Sequence, residues 1–133
     1  MPKLHIIQLK AGEDVQTALH AYLMQKDWKA GVIVAGVGSI YDVTLNNPMD
    51  HNTPPTLQTI RVEKPCEIVS FMGEITRKED MPSGMPCMIM DTPSQYVTHI
   101  HASVSHDDGS VQGGGFRNAT VLRAINIYVL EIE

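Results

Sequence analysis

Cysteine is scarce in this chain: Cys66 and Cys87 are the only two among 133 residues. They form neither a disulfide framework nor a paired metal knuckle. A chain of this length buries roughly two-thirds of its unfolded surface, so it needs no such staple to fold. Long apolar runs are also missing. The longest, residues 31–37, is about seven residues, far short of a membrane span. The opening MPKLHIIQLKAGED lacks the apolar core and cleavage site of a secretory signal, which leaves a cytoplasmic location and no membrane partner as the expectation. Dense positive charge is absent too. Ten basic residues face fifteen acidic ones, for a net charge of −5, and Arg77-Lys78 is the only adjacent basic pair. Autonomous DNA binding needs positive charge gathered against phosphates, so this balance argues against it. No nucleophile elbow, phosphate-binding lysine loop or His-Glu-x-x-His motif occurs. A binding or regulatory module is therefore expected rather than an enzyme.

What is present reads as one α+β domain over residues 1–133, mainly antiparallel sheet with one principal helix. Residues 4–9 predict a first strand. Gly12-Glu13-Asp14 turns into a helix whose stripe is Val15, Ala18, Leu19, Tyr22 and Leu23, with its end expected near Trp28 and Gly31. Residues 32–35 read as a central strand, Gly36-Val37-Gly38-Ser39 as an interstrand turn, and residues 40–45 as the next strand. Residues 46–55 read as loop, 58–63 and 67–75 as strands, and 76–94 as irregular. Tyr96–Ser105 alternates cleanly, with Ile100, Ala102 and Val104 inward and His99, His101, Ser103 and Ser105 outward. Asp108-Gly109 marks a hairpin, the glycines at 113–115 interrupt the return, and residues 121–132 form a long last strand, apolar on both faces.

Three constellations carry chemistry. His99 and His101 project from one strand face, close enough to share a metal ion or a polar ligand, or to form a merely polar surface. Two nitrogens are half a zinc site; a carboxylate such as Glu67, a water or a neighbouring subunit would have to complete it. Gly113, Gly114 and Gly115 fit a place where backbone approaches closely, or an edge bulge. Residues 81–90 hold four methionines and Cys87, suited to Cu(I) or, more commonly, to an adaptable surface that covers a partner or subunit.

Four segments in order resemble the PPC (plants and prokaryotes conserved) domain: Lys10-Ala11-Gly12-Glu13-Asp14, Gly36-Val37-Gly38-Ser39-Ile40, Cys66-Glu67-Ile68-Val69-Ser70-Phe71-Met72-Gly73, and His99-Ile100-His101 leading through Asp108-Gly109 to Gly113-Gly114. The resemblance implies an antiparallel sheet with the helix packed on it, assembled as a homotrimer, and a role in DNA-associated regulation. In the plant members an AT-hook contacts the DNA while this domain supplies assembly and partner contacts. No Arg-Gly-Arg-Pro core occurs here, and Cys66 stands where the family has an aromatic residue. Where the family commonly reads Gly-Gly-His, this chain reads Gly113-Gly114-Gly115, so the third histidine of a three-histidine cluster is absent. The expected cleft comprises Glu67, His99, His101 and the three glycines, without a tightly held metal.

Overall fold

The computed structural model describes residues 2–82 and 90–133. In chain order it contains β1 (Lys3–Lys10), α1 (Val15–Leu23), β2 (Ala30–Pro48), β3 (Leu57–Val62), β4 (Cys66–Arg77), a three-ten turn at Lys78–Asp80, β5 (Tyr96–Ser105) and β6 (Val111–Ile132). Every strand pairing is antiparallel. The order is β1-β6-β5-β4-β2-β3, and β6 also pairs with β2. The strands β2, β4, β5 and β6 thus form a closed circuit, with β1 added outside β6 and β3 outside β2. No helix of the described residues is long and apolar enough to cross a membrane.

Asp14 starts α1 by accepting a hydrogen bond from the Thr17 amide at 2.9 Å, a standard side-chain cap for an orphan donor. Val15, Leu19 and Leu23 then face the sheet fully buried, each contributing about 1.5–3 kcal/mol of transfer free energy. The helix ends at Leu23, short of the expected Trp28. The reason is Tyr96, whose buried hydroxyl accepts from the Trp28 amide at 2.6 Å and donates to the Trp28 carbonyl at 2.9 Å. Arg77 also donates to that carbonyl, at 2.7 Å. Trp28 is drawn out of helical register to pack against His5, with ring centroids 4.6 Å apart.

Two glycine-rich stretches read as breaks are not breaks. β2 runs unbroken for 19 residues through Gly36-Val37-Gly38-Ser39, and β6 runs for 22 through Gly113-Gly114-Gly115. The glycines permit close approach instead. A Cβ on Gly36 would lie 2.7 Å from Cβ of Phe71, and one on Gly38 would strike the Ala124 carbonyl of β6. Register shifts in β2 at Ile33/Ala35, Gly38/Ile40 and Tyr41/Thr44 let one long strand bend around the circuit. The methionine-rich segment lies largely outside the described residues, at 83–89.

Candidate ligand cleft

β5 pairs with β6 only along half its length, from His101 opposite Gly115 to Ser105 opposite Val111. Beyond that point β6 leaves β5 and follows β2, with Gly115 opposite Asn46 and Phe116 opposite Leu45. The two strands therefore fork at His101. The fork opens a cleft of about 870 Å³, lined on one side by His99, His101 and Thr98, and on the other by Gly114, Gly115 and Arg117. This volume lies within the usual range of small-molecule sites, roughly 300–1,000 Å³. The hairpin between β2 and β3 supplies an apolar wall of Pro48, Pro54, Pro55 and Leu57, and Phe116 extends it.

The floor is closed by a hydrogen-bonded chain that sequence reasoning missed. Gln16 on α1 donates from its amide nitrogen to the Arg117 carbonyl at 3.2 Å, which turns its oxygen toward Thr98. That oxygen can only accept, so the Thr98 hydroxyl donates to it at 3.1 Å. With its proton spent, Thr98 accepts from His20 Nε2 at 3.2 Å. His20 therefore carries its proton on Nε2, and Ser94 donates to the bare Nδ1 at 2.6 Å while accepting from the Tyr96 amide at 3.1 Å. His20 is fully buried, and desolvation, helped by the positive charge of Lys78, lowers its pKa to about 4. The imidazole is neutral at physiological pH and ties α1 to the start of β5. Its place beside Leu19, within reach of the apolar stripe, was the available sequence signal.

His99 and His101 are exposed, with ring centroids 5.0 Å apart in an edge-to-face arrangement. Neither imidazole makes a hydrogen bond to another described residue. Their face continues across the sheet. Antiparallel partners share a face, and the register aligns Leu4, Leu130, Val32, Glu74 and His99 in one row across five strands. Met72 lies opposite His101. The histidines thus stand on a ridge between the cleft and an outer sheet face that carries Leu4, Ile6, Val32, Val34 and Met72, all exposed.

Glu67 does not join them. It pairs with Ser105, and a bulge between Ile68 and Ser70 separates it from the stretch of β4 that faces the histidines. The carboxylate opposite His99 is Glu74. Gly114 and Gly115 do line the cleft, and the Gly113 carbonyl accepts from the Asn47 amide at 2.9 Å. A Cβ on Gly114 would fall 2.6 Å from that amide nitrogen, so the glycine admits the Asn47 clamp. Cys66 is buried, its thiol donating to the Ile40 carbonyl at 3.4 Å; burial, then Glu67, raises its pKa. It is a core thiol, not a nucleophile. Among the described residues, no three His, Cys, Asp or Glu come together closely enough to hold a metal ion. His101 faces Gly115, so the described residues of one chain bring two imidazoles and no third ligand together here, half of a zinc site.

The model of the Plants and Prokaryotes Conserved domain matches residues 1–133. The chain belongs to this family. Three solved structures share the PPC fold. A plant- and prokaryote-conserved protein of Pyrococcus horikoshii is 16% identical, with a TM-score of 0.76 over 100% of this chain and 82% of its own. A metal-containing protein of Archaeoglobus fulgidus is 23% identical, with a TM-score of 0.74 over 97% of this chain and 79% of its own. A protein of Bacteroides thetaiotaomicron named as a candidate DNA-binding protein is 21% identical, with a TM-score of 0.72 over 98% of this chain and 82% of its own. At these identities the likeness carries the PPC fold alone. No curated protein matches the chain.

Proposed function

We propose that this PPC-domain protein works as a self-assembled regulatory or interaction module, a homotrimer whose copies cover one another's outer sheet faces. The observation that carries the reading is the apolar face itself. Leu4 is 55% exposed, Ile6 53%, Val34 44% and Met72 55%, on β1, β2 and β4 of one sheet, with β6 and its Leu130 between β1 and β2. Contiguous exposed apolar surface of this kind marks an interaction site, and the PPC resemblance supplies the copy number. The double variant Ile6→Glu with Val34→Glu is expected to weaken assembly at least about 100-fold, because each carboxylate would be buried without a partner. Sedimentation velocity across a dilution series checks this; a variant that assembles like the unmodified protein would remove the face from the account.

A role in DNA-associated regulation then runs through assembly and partners rather than direct readout. With a net charge of −5 and no AT-hook core, duplex binding at physiological salt is expected to stay within the non-specific range, about 10⁻⁶ to 10⁻⁴ M, without sequence preference. A salt-dependent gel-shift titration measures it. Sequence-selective binding tighter than that range would mean that trimerisation gathers a basic surface from Lys and Arg residues dispersed along the chain.

The fork between β5 and β6 favours a second reading, small-ligand binding. The cleft is large enough for a small molecule, is walled by proline and aromatic side chains, and is bordered by two imidazoles without hydrogen-bond partners among the described residues.

A further inference from the structure

The side chains on the cleft floor are committed to holding α1 against β5. His20, Thr98 and Gln16 bond to one another, to Ser94 and to the Arg117 carbonyl. Asn118 accepts from the Gln16 and Ala119 amides through its oxygen and donates to Asp14 through its nitrogen at 2.6 Å. What stays open for a ligand lies in the backbone of one wall and in the side chains of the rim.

The wall is the edge of β5. In an extended strand the N–H and C=O of one residue point to one edge, and those of the next residue point to the other. Gln95 presents its carbonyl on the β4 side, where the Lys78 amide donates to it at 3.0 Å. Tyr96, Thr98 and Ile100 therefore turn their backbone groups the other way, toward the fork. Those of Tyr96 are satisfied locally: its amide donates to the Ser94 hydroxyl at 3.1 Å, and its carbonyl accepts from the Thr92 hydroxyl. Those of Ile100 stand at the end of the β5–β6 ladder, whose last pair is His101 with Gly115. Thr98 lies between the two, and among the described residues no strand pairs with it on this side. Its N–H and C=O border the cleft as an unpaired sheet edge.

The rim offers donors and acceptors together. Asn47 donates from its nitrogen to the Gly113 carbonyl, which leaves its oxygen as an acceptor. Asn46 accepts through its oxygen from Thr59 at 2.9 Å, which leaves its NH₂ group as a donor. Thr44 accepts from Arg61 at 3.0 Å, which leaves its hydroxyl proton. Each neutral imidazole, at His99 and His101, presents one donor and one acceptor. The acidic and the basic side chain that line the cleft, Asp91 and Arg117, cancel in charge. Donors and acceptors side by side, without net charge, are complementary to a chain of amides.

Resting on the reading of the cleft as a ligand site, we propose that it takes an extended segment of a partner protein, whose backbone adds to the open edge of β5 at Thr98. Main-chain bonds to the edge supply affinity, and alternate side chains of the segment lie against the apolar wall of Pro54, Pro55, Leu57 and Phe116. From Tyr96 to Ile100 the edge is about 13 Å long, room for about four residues of an added strand. Copies of this chain meet on the outer sheet face in the proposed assembly, across the histidine ridge, which leaves the cleft to a different protein.

The test is an amide-resolved NMR titration of the whole assembled protein with the capped tetrapeptide acetyl-Leu-Ser-Leu-Ser amide. Two analogues accompany it, one N-methylated on both leucines and one on both serines, with benzamide as a small neutral probe. The parent peptide is expected to shift the amides of Thr98, Ile100 and Gly115 with a dissociation constant of about 1 mM or tighter. Alternate amides of an extended chain face one edge, so at least one analogue should bind at least about tenfold more weakly than the parent. Both analogues binding as tightly as the parent would overturn the backbone pairing and leave the cleft a ligand site. Shifts with benzamide but not with the parent peptide would do the same. No shift at these amides with any probe up to about 10 mM would overturn both readings.

Discussion

Gly38→Ala is expected to cost about 4 kcal/mol of stability, and to lower the melting temperature by roughly 15 °C. Two penalties add. Gly38 has φ +152°, a backbone conformation that side chains rarely adopt, and its added Cβ would strike the Ala124 carbonyl, with Cα of Ile125 only 2.8 Å away. Both neighbours are backbone of β6, so no rotamer change relieves the contact. Strands β2 and β6 would have to separate at the point where Gly38 pairs with Ile125, in the middle of the longest ladder of the fold. Gly12→Ala is the control. Gly12 has φ +85° but an added Cβ there would meet nothing within 4 Å, so it carries the conformational penalty alone, about 1 kcal/mol. Urea unfolding of the two variants checks the difference; equal losses would mean that β2 and β6 do not approach as described.

Acidification from pH 7 to pH 4 is expected to remove roughly 3 kcal/mol of stability through His20 alone. The unfolded chain takes up a proton on this residue near its ordinary pKa of 6.5, whereas the folded protein resists until about 4. Between those values the unfolded state binds more protons, so stability is fully present above about pH 6.5 and declines as pH falls toward 4. The physical cause is first the buried site and second Lys78, whose ammonium lies on the Thr92 carbonyl near the Ser94 end of the chain. Protonation would also put a donor on Nδ1, where Ser94 now donates. In His20→Gln the baseline stability falls, but this part of the pH dependence disappears. A His20 resonance that titrates near pH 6.5 in the folded protein would contradict the account.

Local pattern was legible wherever a strand has one wet face. The alternation of Tyr96–Ser105 placed Ile100, Ala102 and Val104 inside and both histidines outside, and Asp108-Gly109 marked the hairpin that follows. The family likeness, carried by four short segments, is matched by the domain model over the whole chain. Pairings distant in sequence were not legible. Gly38 and Ala124 meet across the sheet, so the glycine stretch reads locally as a turn although its function is close approach. The exchange of Glu74 for Glu67 has the same origin, because which carboxylate faces His99 depends on the register between β4 and β5 and on the bulge at Ile68/Ser70. The early end of α1 is set by Tyr96, dozens of residues away, through its bonds to Trp28. The cleft is hidden for the same reason: it exists because β6 changes partners at Gly115, and no single segment encodes a fork.

The outer face connects these observations to function. Leu4, Leu130 and Val32 lie in one row with His99, so any contact that covers the apolar strands also abuts the histidine ridge and the mouth of the cleft. Assembly and ligand occupancy would then bear on one another across two to four strand spacings of shared sheet, roughly 10–20 Å. Multi-angle light scattering of the unmodified protein at micromolar concentration tests the assembly directly. The account predicts a particle of three times the 14.7 kDa chain mass. A single species at 14.7 kDa would contradict it, because the apolar face would then stand open to water in the working protein.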